Sequence, residues 1–336
     1  MSKGRTPVDF STIPTHDFET PKIVPMNGTA GEQWEFDGVS GDELSGFIFG
    51  FYRDPNYSLL GSGNLRMYVE IAFADGERFV QINYPTESTI ESCPGIGTRG
   101  TWKGDGYHYR WTVSPNMDYA SIDWDTPKAK GSVTLRSVAP PRYADGSIWP
   151  LTTASLLTVP HFYWVEPIPV AEATFEAVIE GKPLSWSGIG GHERLWGAFN
   201  WLTCLDALTF VRLRAGPFAL AMWEFESWRE MGLQVPSVFL AQDGHKIFSS
   251  RLTEPSETED FFTWRKLYDN SGNTLSDKAT GFVLRLVSPK QGKQWIFNVS
   301  HKNVYFEVFP WRRRTGVTET LKLPVRSLIL KRNYVE

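Results

Sequence analysis

The sequence has little of what most metal and redox sites require. It contains only two cysteines, Cys93 and Cys204, which are far apart, and six histidines among 336 residues. No H-x-H, H-E-x-x-H or C-x-x-C spacing occurs, so the sequence predicts no metal site. It also has no Walker loop and no G-x-S-x-G motif. Residues 95–100 imitate a dinucleotide-binding G-x-G-x-x-G, but strand-like residues follow instead of a helix. We therefore predict that the protein uses no cofactor.

Charge and hydropathy exclude further partners. The formal net charge is -4, so nucleic acid is not an expected partner. No run approaches the roughly 20 apolar residues of a membrane-spanning helix, so no span is expected. Residues 1–7 carry no apolar segment typical of a signal peptide. The expected location is the cytoplasm, or the lumen of the secretory pathway if a leader has been removed.

Short alternating segments dominate what remains. Residues 65–73 place Met67, Val69 and Ile71 on one face and polar side chains on the other. Such segments recur through both halves between turn residues, and no long amphipathic helix is evident. The pattern predicts an all-β fold with two antiparallel domains, sandwich or barrel in type, covering residues 1–165 and 166–336.

The stretch 187–197, Ser-Gly-Ile-Gly-Gly-His-Glu-Arg-Leu-Trp-Gly, is the most distinctive in the chain. Its four glycines permit left-handed backbone or a close approach to another chain, and we interpret it as a loop beside an aromatic, β-rich surface. His192 and Glu193 are a candidate base with its orienting acid. The alternative is a pair that hydrogen-bonds only to local backbone, since neighbours on a strand point apart.

Two further segments carry candidate catalytic residues. Glu35 and Asp37 share one face of a predicted strand whose other face carries Trp34 and Phe36. They are candidate general acids if that face lines a cavity, and ordinary surface acids if it faces water. Tyr68 also lies on a polar strand face, where a phenol often marks a half-buried site.

Large aromatic side chains and one arginine are candidate substrate-binding residues, with plain core or plain surface as the alternative. They are Trp196, Arg212, Trp223, Phe225, Tyr305 and Trp311.

Several of these segments resemble a known family. Gly188-x-Gly190-Gly191-His192-Glu193-x-x-Trp196-Gly197 is similar to the G-x-G-Y-H-D-x-N-W-G signature of the lipocalin-like hydroxyneurosporene-synthase superfamily. Residues 33–40 resemble its E-W-W-F-F-D-x-V-S opening. Residues 106–109 and 137–141 match two less specific motifs of the superfamily. Within that superfamily the sequence is most similar to the fungal Diels–Alderases. The resemblance extends from about Trp34 to about Tyr305.

The resemblance implies an N-terminal β-sandwich and a C-terminal lipocalin-like β-barrel, with a pocket between them. It also implies a cofactor-independent pericyclase that acts on a small molecule, an apolar polyketide or meroterpenoid precursor, in a [4+2] cycloaddition. This sequence has Gly191, Glu193 and Leu195 where the signature has Tyr, Asp and Asn. These departures predict a substrate other than the polyene tetramic acids.

Elementary chemistry suits this activity. An apolar pocket holds the reacting partners face to face. A donor such as Tyr68, Arg212 or His192 would polarise a conjugated carbonyl. In a hetero-Diels–Alder branch, an acid (Glu35, Asp37 or the His192/Glu193 pair) would first dehydrate an alcohol to a quinone methide. A non-catalytic lipocalin-like carrier of an apolar metabolite and an alkene hydratase are the alternative functions.

Overall fold

The computed structural model describes residues 8–25, 30–54, 64–198, 205–227, 232–268 and 279–300, with the strands at 311–314, 317–320 and 326–329. Among these residues the chain is strand and loop, apart from one 3-10 turn at Pro289–Gln291. The predicted all-β class is therefore confirmed. None of the described residues form a helix long and apolar enough to cross a membrane.

The strands of the first part of the chain are β1 (Asp9–Phe10), β2 (Ile23–Val24), β3 (Gly31–Ser40), β4 (Gly46–Arg53), β5 (Leu65–Ala72), β6 (Arg78–Asn83), β7 (Glu87–Cys93), β8 (Gly97–Gly104), β9 (Tyr107–Val113), β10 (Tyr119–Asp125), β11 (Ala129–Ser137), β12 (Arg142–Tyr143), β13 (Leu157–Val159), β14 (Phe162–Ile179) and β15 (Lys182–Gly197). Those of the second part are β16 (Leu205–Ala215), β17 (Phe218–Ser227), β18 (Gln234–Gln242), β19 (His245–Ser250), β20 (Phe261–Tyr268), β21 (Ala279–Ser288), β22 (Lys293–Ser300), β23 (Trp311–Arg314), β24 (Val317–Thr320) and β25 (Arg326–Ile329).

The chain forms two compact units, residues 1–204 and 205–336. The division expected at residue 165 lies inside β14, which pairs with β11 on one side and β15 on the other. The strand β15 pairs in turn with β3. Both long strands thus complete the sheet of the first unit, and the compact units divide after them.

The first unit is built on one antiparallel sheet in the order β6-β5-β4-β3-β15-β14-β11-β10-β9-β8-β7. This sheet folds over on itself, because the Trp34 ring on β3 lies 5.2 Å from that of Trp102 on β8 and 5.7 Å from that of Trp111 on β9. Polar contacts also join the two ends: the Tyr109 hydroxyl on β9 donates to Asn83 Oδ1 on β6 at 2.7 Å. Both layers alternate apolar and polar residues, so their apolar faces meet in an aromatic core, as in a sandwich.

The second unit has two larger sheets. One has the order β19-β18-β17-β16-β25 and the other the order β20-β21-β22. Val211, Met222 and Leu240 of the first sheet belong to one buried apolar cluster with Phe262 and Leu284 of the second. This cluster uses only one face of the five-stranded sheet, since strand residues alternate in direction.

Candidate functional site

The glycine-rich stretch is not a loop, contrary to the sequence interpretation. It forms the second half of β15, paired with β3 on one side and β14 on the other. A Cβ atom on Gly188 would lie 1.8 Å from the carbonyl oxygen of Val39, and one on Gly190 would lie 2.5 Å from that of Asp37. The glycines are therefore needed for the close approach of neighbouring strands.

His192 and Glu193 project to opposite faces of β15. His192 pairs with Phe36 of β3, and Glu193 pairs with Glu35. The imidazole stacks on the Phe36 ring with 3.8 Å between centroids and 4° between planes, and it is completely buried. The two side chains thus do not form the base-and-acid pair considered from the sequence.

His192 instead contacts the N-terminal segment. Its Nε2 lies 3.0 Å from Glu19 Oε2, and its Nδ1 lies 2.9 Å from the backbone oxygen of Glu35. Neither Glu19 nor its neighbours stood out in the sequence, because residues 1–30 show no hydrophobic period.

Arg194 holds the same segment from the same face of β15. Its guanidinium donates to the backbone oxygens of Phe18, Gln33 and Thr20 at 3.1, 2.8 and 3.1 Å, and to Glu32 Oε2 at 3.3 Å. Burial lowers the pKa of Arg194, and the Glu32 carboxylate opposes this shift. Arg194 is not among the candidates drawn from the sequence, since an isolated arginine is usually exposed.

On the opposite face, the strand register aligns several predicted residues in one row. Glu193 pairs with Glu35, Glu35 with Gly50, and Gly50 with Tyr68. Directly paired residues point to the same side of a sheet, with Cβ atoms about 4.5–5.5 Å apart. Glu193, Glu35 and Tyr68 therefore share a face. The Tyr52 ring covers Gly50 between the last two, since a Cβ on Gly50 would lie 2.4 Å from that ring.

A second row lies beside the first on the same face. Asp37 pairs with Ile48, and Ile48 with Glu70. We call the side chains of Glu35, Asp37, Tyr68, Glu70 and Glu193 the polar face. The structure thus brings together four of the five residues predicted to be catalytic and leaves out His192.

The polar face is shielded from water. Asp37, Glu70 and Glu193 are buried, and Glu35 and Tyr68 are half-buried. The Tyr68 hydroxyl donates to Glu70 Oε2, and Arg78 Nε donates to Glu70 Oε1 at 2.6 Å. Burial, followed by the hydrogen bond to Glu70, raises the pKa of Tyr68, so its phenol keeps its proton at neutral pH.

The second unit gathers three predicted binding residues on the sheet face turned away from its apolar cluster. We call this the aromatic face and define it by Phe210, Arg212, Trp223, Phe225 and Phe239. Phe210 pairs with Trp223, and Arg212 is joined to Phe239 through the intervening strand β17. Arg212 Cζ lies 4.8 Å from the Phe210 ring centroid. Arg212, Trp223 and Phe225 are buried, so a cation and aromatic rings share a dry surface.

The remaining predicted residues are elsewhere. Trp196 lies on the core face of β15, where its Nε1 donates to the backbone oxygen of Ser11 at 3.2 Å and its ring stacks on Tyr163. Tyr305 lies outside the described residues. Trp311 begins β23, and its side chain is likewise outside them.

Other features of the described residues hold none of these candidates. An open depression of about 780 Å³ is lined in part by Trp124, Lys130 and Glu176 of the first unit. No group of three or more His, Cys, Asp or Glu side chains suited to a metal ion occurs in the described part of the chain. The polar face and the aromatic face therefore remain the candidates for chemistry and binding.

Comparisons with known proteins point to one family. The model of the Diels-Alderase-like family matches residues 1–319. Diels-Alderase cheD of Chaetomium globosum is 48% identical over all of this chain and 84% of its own length. Diels-Alderase phmD of Phaeosphaeria nodorum is 42% identical over the full length of both chains. The crystal structure of CghA has the same fold, with a TM-score of 0.77 and 23% identity over 95% of this chain and 88% of CghA.

Proposed function

The chain belongs to the Diels-Alderase-like family, and from this membership we propose that its polar face activates the carbonyl end of a polyene-type substrate. The activity itself is that of its relatives, an enzyme-catalysed cycloaddition on a small molecule in fungal natural-product chemistry. It is therefore neither a non-catalytic carrier nor an alkene hydratase. The observation that carries the proposal is the single row of Glu193, Glu35 and Tyr68 on one half-buried sheet face.

The reaction sets the requirements for such a site. A [4+2] cycloaddition converts three π bonds into one π bond and two σ bonds, and no atom is lost. The enzyme must hold diene and dienophile in contact, and it lowers the barrier further by donating a hydrogen bond to a carbonyl conjugated to the dienophile.

Tyr68 is the proposed donor. Its phenol carries a proton at neutral pH, as tyrosine ordinarily does, and burial raises its pKa further. In the free enzyme this proton points to Glu70, and rotation about the C–O bond would direct it to a substrate carbonyl. Arg78 continues to neutralise Glu70 during this exchange through its bond to Oε1. The hydroxyl is therefore held in place without depending on the substrate.

The carboxyl groups beside Tyr68 favour a hetero-Diels–Alder variant as a second candidate. A protonated carboxyl group of Glu35, Asp37 or Glu193 would give its proton to a benzylic hydroxyl, which leaves as water. A neighbouring carboxylate would take the phenolic proton, and the product is a neutral quinone methide. The three carboxyl groups on one shielded face support this variant.

The aromatic face of the second unit is proposed, independently of the polar face, as a surface that binds apolar rings or chains. Trp223 and Phe225 offer flat rings for stacking, and Arg212 offers a donor for an enol or carbonyl oxygen. The substrate class that fits is an apolar polyketide or meroterpenoid precursor. The signature departures at Gly191, Glu193 and Leu195 support a substrate different from the polyene tetramic acids.

Product analysis tests the proposal. Purified protein is incubated with linear polyene and tropolone-type precursors, and the products are separated on a chiral column. An isomer of the precursor indicates a Diels–Alder reaction, and an adduct that has lost one water indicates the hetero variant. An unchanged ligand, or a product heavier by one water, would contradict both.

A matched pair of tyrosine substitutions tests the donor. We expect Tyr68→Phe to lower kcat by about 100- to 1,000-fold, as removal of one transition-state donor does. The control is Tyr109→Phe, because Tyr109 is also buried with a raised pKa but donates to Asn83 in the core. Equal turnover by both variants would remove Tyr68 from the mechanism.

A further inference from the structure

Behind the polar face, the other side of β3 and β15 carries a network of buried charged groups. Glu19, Glu32, His192 and Arg194 are each no more than 2% exposed. They tie residues 17–22 onto the two strands whose opposite faces present Glu35 and Glu193.

The hydrogen bonds of His192 define its tautomer. A backbone carbonyl only accepts, so Nδ1 must donate to the oxygen of Glu35 at 2.9 Å. Nε2 and Glu19 Oε2 lie 3.0 Å apart and form the second hydrogen bond of the ring, with a single proton between these two atoms. Stacking on Phe36 fixes the plane of the ring. The imidazole therefore has one orientation, set from both sides.

We infer that His192 is a positioning residue: it fixes the β3 backbone at Glu35, so that the Glu35 side chain enters the polar face in a reactive position. The inference rests on the proposed function of that face. His192 is completely buried and points away from Glu35's side chain, so it does not touch substrate there. Its bond is to the main chain of Glu35 itself, which distinguishes it from general support of the core.

Two substitutions separate the bonds of His192. In His192→Asn the amide nitrogen replaces Nδ1 and keeps the bond to Glu35, while the bond to Glu19 is lost. In His192→Gln the amide replaces Nε2 and keeps Glu19, while the bond to Glu35 is lost. Each variant loses one buried hydrogen bond, so similar decreases in Tm are expected.

The variants are compared by hydrogen exchange of residues 31–40 and by kcat for loss of water from a precursor with a phenol and a benzylic hydroxyl, the step in which Glu35 is a proposed acid. We expect His192→Gln to speed exchange and to lower kcat about tenfold, because small displacements at a reacting group are costly. His192→Asn should stay within about twofold of wild type in both measurements. Equal behaviour of the two variants would overturn the inference. Loss of turnover in both, with exchange unchanged, would also overturn it, because His192 would then act chemically.

Two further variants complete the test. Glu19→Gln keeps a donor for Nε2 and is expected to leave exchange and kcat near wild type. A loss as large as that of His192→Gln would contradict positioning through Glu35. Failure of the proposed function is recognised separately, whatever the exchange of residues 31–40. In that case Glu35→Gln would keep wild-type kcat for loss of water, and Tyr68→Phe would keep wild-type kcat for cycloaddition.

Discussion

Replacement of Arg194 by methionine would remove the donor from four acceptors in the first unit, three of them buried and one half-buried. These are the backbone oxygens of Phe18, Thr20 and Gln33 and the carboxylate of Glu32. Methionine matches the length of the arginine stem, so the change removes hydrogen bonds and charge while it largely keeps the packing.

The structure sets the magnitude. Removing one partner of a buried ion pair costs about 3–5 kcal/mol, because the remaining charge stays buried. Glu32 keeps two partners, Arg53 at 3.7 Å and the backbone N–H of Lys22 at 2.8 Å. These contacts reduce the cost of leaving its carboxylate without Arg194. Three carbonyls also lose a donor, whereas the desolvation that lowers the pKa of Arg194 is relieved. We expect the free energy of unfolding to fall by about 4 kcal/mol, a large part of typical domain stability.

Guanidinium chloride unfolding, followed by tryptophan fluorescence, measures this loss. The control is Arg110→Met, since the Arg110 side chain is 41% exposed and its ion pair with Asp123 spans 3.6 Å. A loss of about 0.5 kcal/mol is expected there. Proteolysis within residues 8–25 should also become faster in Arg194→Met. A loss of stability equal to that of the control would refute the role assigned to the buried network.

Three further predictions concern the glycines of β15, the charge network and the aromatic face. Gly188→Ala should prevent close pairing with β3 and greatly lower Tm. Gly106 has φ +71, and a Cβ placed on it would have no atom within 4 Å, so Gly106→Ala should lower the free energy of unfolding by only about 1 kcal/mol. Burial, followed by the charge of Arg194, lowers the pKa of Lys22 from 10.5 to about 8. Between pH 8 and pH 10.5 the unfolded chain therefore binds more protons than the folded chain, so the free energy of unfolding should increase with pH. Denaturant unfolding at both pH values should show a larger increase in wild type than in Lys22→Met. Trp223→Leu should change the ratio of product stereoisomers, whereas Trp295→Leu, in the apolar cluster of the same unit, should lower Tm and leave the ratio unchanged.

Much of the fold and part of the candidate site follow from local periodicity. Alternation with a period of two indicated strands throughout, and it placed Glu35 and Asp37 opposite Trp34 and Phe36, as observed. This succeeds because side-chain direction in a strand depends only on neighbours along the chain. The signature residues likewise indicated the family that the comparisons show.

What local pattern could not supply was the pairing of distant segments. Glycine density is equally compatible with a loop and with closely packed strands, and only the insertion of β15 between β3 and β14 distinguishes them. That insertion also extends the first unit beyond the division expected at residue 165.

The sequence by itself therefore determined the all-β class, the family and the faces of individual strands. Tertiary structure alone decided that Glu193, Glu35 and Tyr68 form one row, while His192 lies in the core against Glu19. The physical reason is that register arises from hydrogen bonds between residues far apart in the chain, and a shift of one position exchanges the two faces of a strand.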